Sequence, residues 1–234
     1  MCRLFGLYAN KLVNVSFSFF ESPVGSFVEL SYKNPSGWGV AYLNDVGWHI
    51  YKEPLPLYSS DNAEKVIRKS VCGRIIVSHV RLASVGSVIK KNTHPWQYRN
   101  WVFAHNGTIY DKQALLELVR KDYQDFEGVT DSEVFFHLVV QEAEDLGNPV
   151  EGIRSAAEKI IENDINFSSL NFIASDRDRL YALRCAKEQT EYYTLYYLER
   201  PGEGFELKRL SKETSQLIMT KLAHGEKAIL IASE

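Results

Sequence analysis

The sequence is poor in the residues that staple small domains or anchor chains in membranes. It has three cysteines in 234 residues: Cys2, Cys72 and Cys185. An odd count at wide spacing makes no disulfide framework, no Cys-x-x-Cys pair and no Cys/His metal cluster. A reduced, cytoplasmic setting is therefore expected. No apolar run approaches the roughly 20 residues that cross a bilayer, and a strand-like stretch follows Arg3 where a cleavable leader would carry its apolar segment. No association with a membrane is expected. Basic charge is not in excess either, since 27 Lys and Arg stand against 30 Asp and Glu, a net charge of −3. The pairs Lys90-Lys91 and Arg120-Lys121 are isolated, which argues against a nucleic-acid partner. There is no glycine-rich phosphate loop, so neither a cofactor nor a metal is expected.

What remains is the composition of a globular protein, 45% hydrophobic and 24% charged, able to build a large core without crosslinks. At about 100–200 residues per domain, with no linker and no repeat, one domain over 1–234 is expected. Short apolar runs broken by Gly, Pro and Asn predict strands over 3–8, 37–43, 48–52, 75–80 and 101–105. Apolar residues at helical spacing predict helices over 112–121, 131–146 and 150–162. Strands resume over 171–175, 180–184, 192–199 and 228–232, with turns at 175–178 and 201–204. The aromatic run 192–197 reads as sheet core, with an interface as the alternative. Strands, then helices, then strands again predict a layered α+β protein.

Cys2 carries the most chemistry for its position. If Met1 is trimmed, one residue holds both a thiol and a free α-amine. Their ordinary pKa values, about 8.5 and about 7.7–8.0, lie near neutrality. A nucleophile activated by an N-terminal amine is a workable catalytic pair. A frayed, inert terminus is the alternative.

Four other segments have two readings each. Asn106-Gly107 after an apolar strand is a strong hairpin signal. The same pair can supply an amide and a backbone N–H that converge as an oxyanion hole. Thr130-Asp-Ser-Glu133 before an apolar run fits a capping box, with Thr130 as N-cap and Glu133 reaching back, and leaves Asp131 in the first turn to meet an ammonium. Arg81 ends the run 75–80 either as a solvated strand end or as a bidentate carboxylate grip. His94, in Asn92-Thr-His-Pro-Trp96, orients a ligand or packs in a loop. Gly37-Trp38-Gly39 suggests a buried Trp, or a close backbone approach beside a pocket.

Taken in order, these segments resemble one family. Cys2-Arg-Leu-Phe-Gly6, Gly37-Trp-Gly39, His79-Val-Arg81, Asn92 with His94-Pro95, His105-Asn-Gly107 and Thr130-Asp-Ser-Glu133 together look like the class II glutamine amidotransferases, members of the N-terminal-nucleophile hydrolases. Small stand-alone proteins beginning Met-Cys-Arg are the most similar subgroup. The resemblance is dense up to about residue 146. It implies a four-layer αββα sandwich. It also implies Cys2 as nucleophile with its α-amine as base, Asn106 and Gly107 as oxyanion hole, and Arg81 and Asp131 as holders of the α-carboxylate and α-ammonium of glutamine. Ser84 and His94 would add substrate contacts. Related sugar-phosphate synthases carry Trp-Ala-Thr-His after the Arg, where this chain reads Leu82-Ala-Ser-Val85. Ser84 keeps a hydroxyl and Val85 loses an imidazole. Ser36 also replaces the Asp that the small proteins tend to carry before Gly-Trp-Gly. The expected activity is release of ammonia from glutamine through a Cys2 thioester, with a separate protein accepting the ammonia. Hydrolysis of a small γ-glutamyl amide or peptide is the alternative, and a non-catalytic glutamine sensor is the alternative outside enzymes.

Overall fold

A computed structural model of the chain describes residues 2–21, 26–200 and 225–233, so the turn expected at 201–204 lies outside the described residues. The strands are β1 (Arg3–Asn14), β2 (Trp38–Leu43), β3 (Trp48–Glu53), β4 (Cys72–Val80), β5 (Trp96–Tyr98), β6 (Trp101–Asn106), β7 (Asn171–Ser175), β8 (Leu180–Leu183), β9 (Tyr196–Arg200) and β10 (Ala228–Ala232). The α-helices are α1 (Phe27–Tyr32), α2 (Ala63–Lys69), α3 (Lys112–Glu117), α4 (Asp131–Asp145) and α5 (Pro149–Glu162). A six-stranded sheet runs β3-β2-β4-β1-β10-β9, and a four-stranded sheet runs β5-β6-β7-β8. Every pairing is antiparallel.

Alternation along the central strands assigns the layers, because successive side chains of a strand point to opposite faces. Phe5, Trp38, Val40, Ile76 and Val80 pack with Phe27 of α1 and Ile67 of α2. Leu4, Ala41 and Val77 turn the other way and meet Val102, Ala104 and Ile173 of the second sheet. Phe103 and Phe172 pack on Phe135 and Val139 of α4 and on Ala156 and Ile160 of α5. The result is helices, sheet, sheet, helices: an α+β fold of four layers, as expected. Among the described residues no helix is long and apolar enough to cross a membrane.

The differences from expectation have local causes. β1 continues to Asn14 through a register shift between Tyr8 and Val13. The helix expected over 112–121 stops at Glu117, because Leu118 and Val119 tighten into bonds with Leu115 and Leu116. The aromatic run at 192–197 is not sheet core: Tyr192, Tyr196 and Tyr197 are 45%, 55% and 74% exposed. The strand there begins only at Tyr196 and, among the described residues, is the edge of the wider sheet.

Candidate active site

The site lies where β1 begins and β4 and β6 end. Antiparallel register pairs Arg3 with Val80, which sets Cys2 beside the residues after β4. The Leu82 N–H donates to Cys2 Sγ at 3.3 Å, and the thiol donates to the Leu82 carbonyl at 3.4 Å. Burial pushes the thiol pKa up, against the Leu82 contact and the nearby Arg81 charge, so the neutral thiol is favoured until a base takes its proton.

Arg81 is no solvated strand end; it is 3% exposed. Its N–H donates to Gly37 O at 2.8 Å, and its carbonyl accepts from Ser36 N at 2.8 Å, which extends the β2–β4 pairing by one residue. Its guanidinium donates to the carbonyls of Val85 (2.7 Å), Ser87 (3.2 Å) and Gly86 (3.4 Å). Burial lowers its pKa, while Cys2 and Asp131 oppose that shift. An arginine nevertheless stays charged.

Asn106-Gly107 is not a hairpin. β6 pairs with β5 and β7, Asn106 standing opposite Asn171, and the chain runs on to a bridge between Ile109 and Phe167. The buried Asn106 Nδ2 has no hydrogen-bond partner among the described residues. A buried donor in that state costs about 1–3 kcal/mol, which is a reason to look for an absent acceptor. A Cβ at Gly107 would fall 1.8 Å from the Ser169 carbonyl oxygen. Glycine is thus demanded by packing on Ser169, and this position meets the pocket with backbone alone.

One residue earlier on the same strand, His105 Nε2 faces Ser169 O at 3.1 Å and Nδ1 faces Ser132 Oγ at 2.9 Å. A carbonyl only accepts, so Nε2 carries the proton and Ser132 donates to Nδ1. Burial lowers the His105 pKa, and the ring is neutral. Asp131 opens α4 and is 3% exposed; its Oδ2 accepts from Ile109 N at 2.7 Å. Thr130 caps the helix by accepting from Glu133 N at 3.3 Å. The reciprocal half of the expected capping box is absent. The Glu133 carboxylate accepts instead from the N–H groups of Glu127 (2.6 Å) and Gly128 (2.8 Å), since two converging backbone donors outcompete one.

Ser84 is exposed and shares a hydrogen bond with Thr108 Oγ1 at 2.9 Å. His94 is buried, its ring 4.1 Å from His79 and 4.0 Å from Trp96. Among the described residues neither ring nitrogen of His94 has a hydrogen-bond partner, and the His79 ring has only a weak contact with the His105 backbone. Burial pushes His79 down to about 3 and His94 well below its ordinary value; both are neutral. Gly39 permits the approach of this loop, because a Cβ there would lie 2.2 Å from His94 O.

A small, partly open cleft brings Cys2, Arg81, Ser84, His94, Gly107 and Asp131 together. Asn106, beside Gly107, is not among its lining residues. Leu82, Val85, His105, Thr130 and Ser132 also line it, although none of them is expected as a site residue from the sequence. His105 and Ser132 stood inside the quoted motifs, but their pairing spans 27 residues and has no local signature. Among the described residues no cluster of His, Cys, Asp or Glu is placed to hold a metal. The lining thus holds a thiol, a cation and an anion, with the buried Asn106 amide next to Gly107.

The sequence model of the class-II glutamine amidotransferases matches residues 1–234. An uncharacterized protein of Methanocaldococcus jannaschii is 33% identical over 207 residues, covering 86% of this chain and 54% of that protein. The glutamine–fructose-6-phosphate aminotransferase of Buchnera aphidicola is 31% identical over 126 residues, covering 52% of this chain and 20% of that enzyme. Among solved structures, the glutamine phosphoribosylpyrophosphate amidotransferase of B. subtilis superposes with a TM-score of 0.62 at 14% identity, over 98% of this chain and 41% of that one. That likeness is one of fold, the N-terminal-nucleophile hydrolase type. The chain spans about half the length of the M. jannaschii relative and a smaller share of the two larger enzymes.

Proposed function

The chain belongs to the class-II glutamine amidotransferases, and from that premise we propose that it hydrolyses the side-chain amide of glutamine through a thioester on Cys2 and releases ammonia to a separate acceptor. The observation that carries this reading is the single cavity in which Cys2, Arg81, Gly107 and Asp131 converge, with the unpartnered Asn106 amide beside it. We take residues 1–234 as one catalytic domain.

In this reading Met1 is removed and the α-amine of Cys2 accepts the thiol proton. The thiolate adds to the amide carbon. The oxygen gains the negative charge and is met by Asn106 Nδ2 and the Gly107 N–H. Collapse breaks the C–N bond as the protonated amine returns its proton to the leaving nitrogen, and ammonia departs. Water then adds to the thioester with the amine again taking a proton, and glutamate and the thiol are restored. Arg81 and Asp131 hold the two charges of the amino-acid end, so the amide meets sulfur in one orientation. Ser84 and His94 contact the substrate from the rim and the floor. Without a base the half-buried thiol, its pKa raised by desolvation, stays protonated, and the amine supplies that base.

Intact mass spectrometry before and after treatment with an electrophilic glutamine analogue tests this. The expected mass lacks Met1 and gains one adduct on Cys2. A mass that retains Met1 and takes no adduct overturns the enzymatic reading and leaves a glutamine-binding protein of the same fold. Far better turnover of γ-glutamyl peptides than of glutamine would replace the amidotransferase reading with a γ-glutamyl hydrolase.

A further inference from the structure

Asn92 is fully buried and touches neither the thiol nor the oxyanion site, yet it joins the two segments that carry the charged handles. Its Nδ2 donates to the Ser87 carbonyl at 3.0 Å. The same carbonyl accepts from Arg81 Nη1 at 3.2 Å. Its Oδ1 accepts from the Val129 N–H at 3.0 Å, two residues before Asp131. Both neighbouring segments lie close enough to exclude a side chain. A Cβ on Gly86, which has a φ of +76°, would sit 2.9 Å from Asn92 Nδ2, and one on Gly128 would sit 2.6 Å from Asn92 Oδ1. Two glycines on two segments thus make room for one amide, and both of its ends are used.

We propose that Asn92 is a positioning residue that fixes the separation of Arg81 from Asp131, and so matches the site to the span between an α-carboxylate and an α-ammonium. The inference rests on the reading of those two residues as substrate handles. The residues 82–91, mostly exposed, have little packing of their own to hold the Ser87 carbonyl. Asn92 ties that carbonyl to the segment leading into α4, so the cation is referenced to the anion through one side chain. An Asn is suited to this because its amide donates at one end and accepts at the other.

Asn92→Asp keeps an oxygen for the Val129 N–H and turns the donor facing Ser87 into a second acceptor. The expected result is a rise of about 10-fold or more in KM for glutamine and in the Kd for L-glutamate measured by calorimetry, with kcat changed by less than about 2-fold. Alkylation of Cys2 by iodoacetamide, which has no amino-acid head, should keep its rate. Gly86→Ala disturbs the same contact from the exposed loop and should raise KM in the same way, so the test stands even if Asn92→Asp folds poorly. Unchanged KM and Kd in both variants, or a fall confined to kcat, overturns the proposal while leaving the glutaminase reading intact. A wild-type chain that neither binds glutamate nor hydrolyses glutamine overturns the handles themselves, and this inference with them.

Discussion

Two segments frame the pocket, and they are built differently. Residues 131–143 of α4 are buried along their whole length. Asp131 is held there by a cap, a backbone N–H and the core beneath the helix. Residues 82–91 are mostly exposed, and the Arg81 guanidinium is held by three carbonyls of that same loop. The proposed negative handle, Asp131, is therefore part of the core, whereas the proposed positive handle, Arg81, depends on a segment whose order comes from a few polar contacts. Buried, fully packed sites store geometry at the expense of tolerance; exposed loops open at low free-energy cost. Substitutions on the helix side should cost chemistry and stability, and substitutions on the loop side should cost substrate affinity.

The largest effect is expected in the buried sheet that α4 packs on, at the end of β6. Asn106→Ala removes one of the two proposed oxyanion donors, a loss of about 2.7–4 kcal/mol of barrier, or roughly 100–1,000-fold in kcat. KM should change little, because the donor acts on charge that exists only in the transition state. Steady-state kinetics on glutamine checks this. An equal rise in KM with kcat unchanged would show that Asn106 binds ground-state substrate instead, and the contrast between the two sides would lose its catalytic half.

Acid provides the next test, and here the readout is stability. His79 is neutral in the folded protein, pushed down to about 3 by burial, and an unfolded histidine titrates near 6.5. Between those values the unfolded chain binds a proton that the folded chain refuses. Stability from this group is complete above pH 6.5 and is lost as pH falls toward 3, at about 1.4 kcal/mol per pH unit. His94 and His105 are lowered by the same cause and add in the same direction. Urea denaturation at pH 7.5, 5.5 and 4.5 should show the decline, and His79→Gln should flatten it. A Ser84 or Val85 substitution in the loop should leave the profile unchanged.

That division also governs what was legible in the sequence. α4, β7 and β10 have the periodicity and length that local rules read well, and they appear within a residue of expectation. α1 and α2 are not legible from periodicity, although Ser26 and Glu29 form a true capping box and Ala63, Val66 and Ile67 recur at helical spacing; six or seven residues are too few for the period to stand out. At the site, Cys2, Arg81, Gly107 and Asp131 could be singled out because each sits in a short motif. The bonds that orient them could not. His105 to Ser132, Asn92 to Val129 and Leu82 to Cys2 join residues 27, 37 and 80 apart. The Glu133 carboxylate reached backward to Glu127 and Gly128 rather than to its own cap, a choice made by the loop's tertiary placement.

On the loop side, Arg81→Lys sharpens the comparison. The charge stays and the planar fork goes, so at least one of the charge-assisted bonds to loop or substrate is lost. A rise of about 10-fold in KM for glutamine is expected, with kcat within about 3-fold. Unchanged KM would count against Arg81 as the carboxylate grip. Melting temperature belongs in the same experiment: a drop as large as that of a core truncation in α4 would mean that the loop is as integral to the fold as the helix.

The smallest effect is expected at Ser84. Its hydroxyl and that of Thr108 lie 2.9 Å apart, and this contact ties the loop to the residue after Gly107. Ser84 is exposed, so water replaces the lost partner and the net cost is about 0.5–1 kcal/mol. Ser84→Ala should therefore raise KM by less than about 5-fold and leave both kcat and the urea midpoint within error. Ser84→Thr keeps the hydroxyl and should restore KM. If Ser84→Ala instead lowered kcat as much as Asn106→Ala, the loop would be holding the oxyanion site through Thr108. The boundary between the two walls would then lie between Ser84 and Arg81, not between the loop and the sheet.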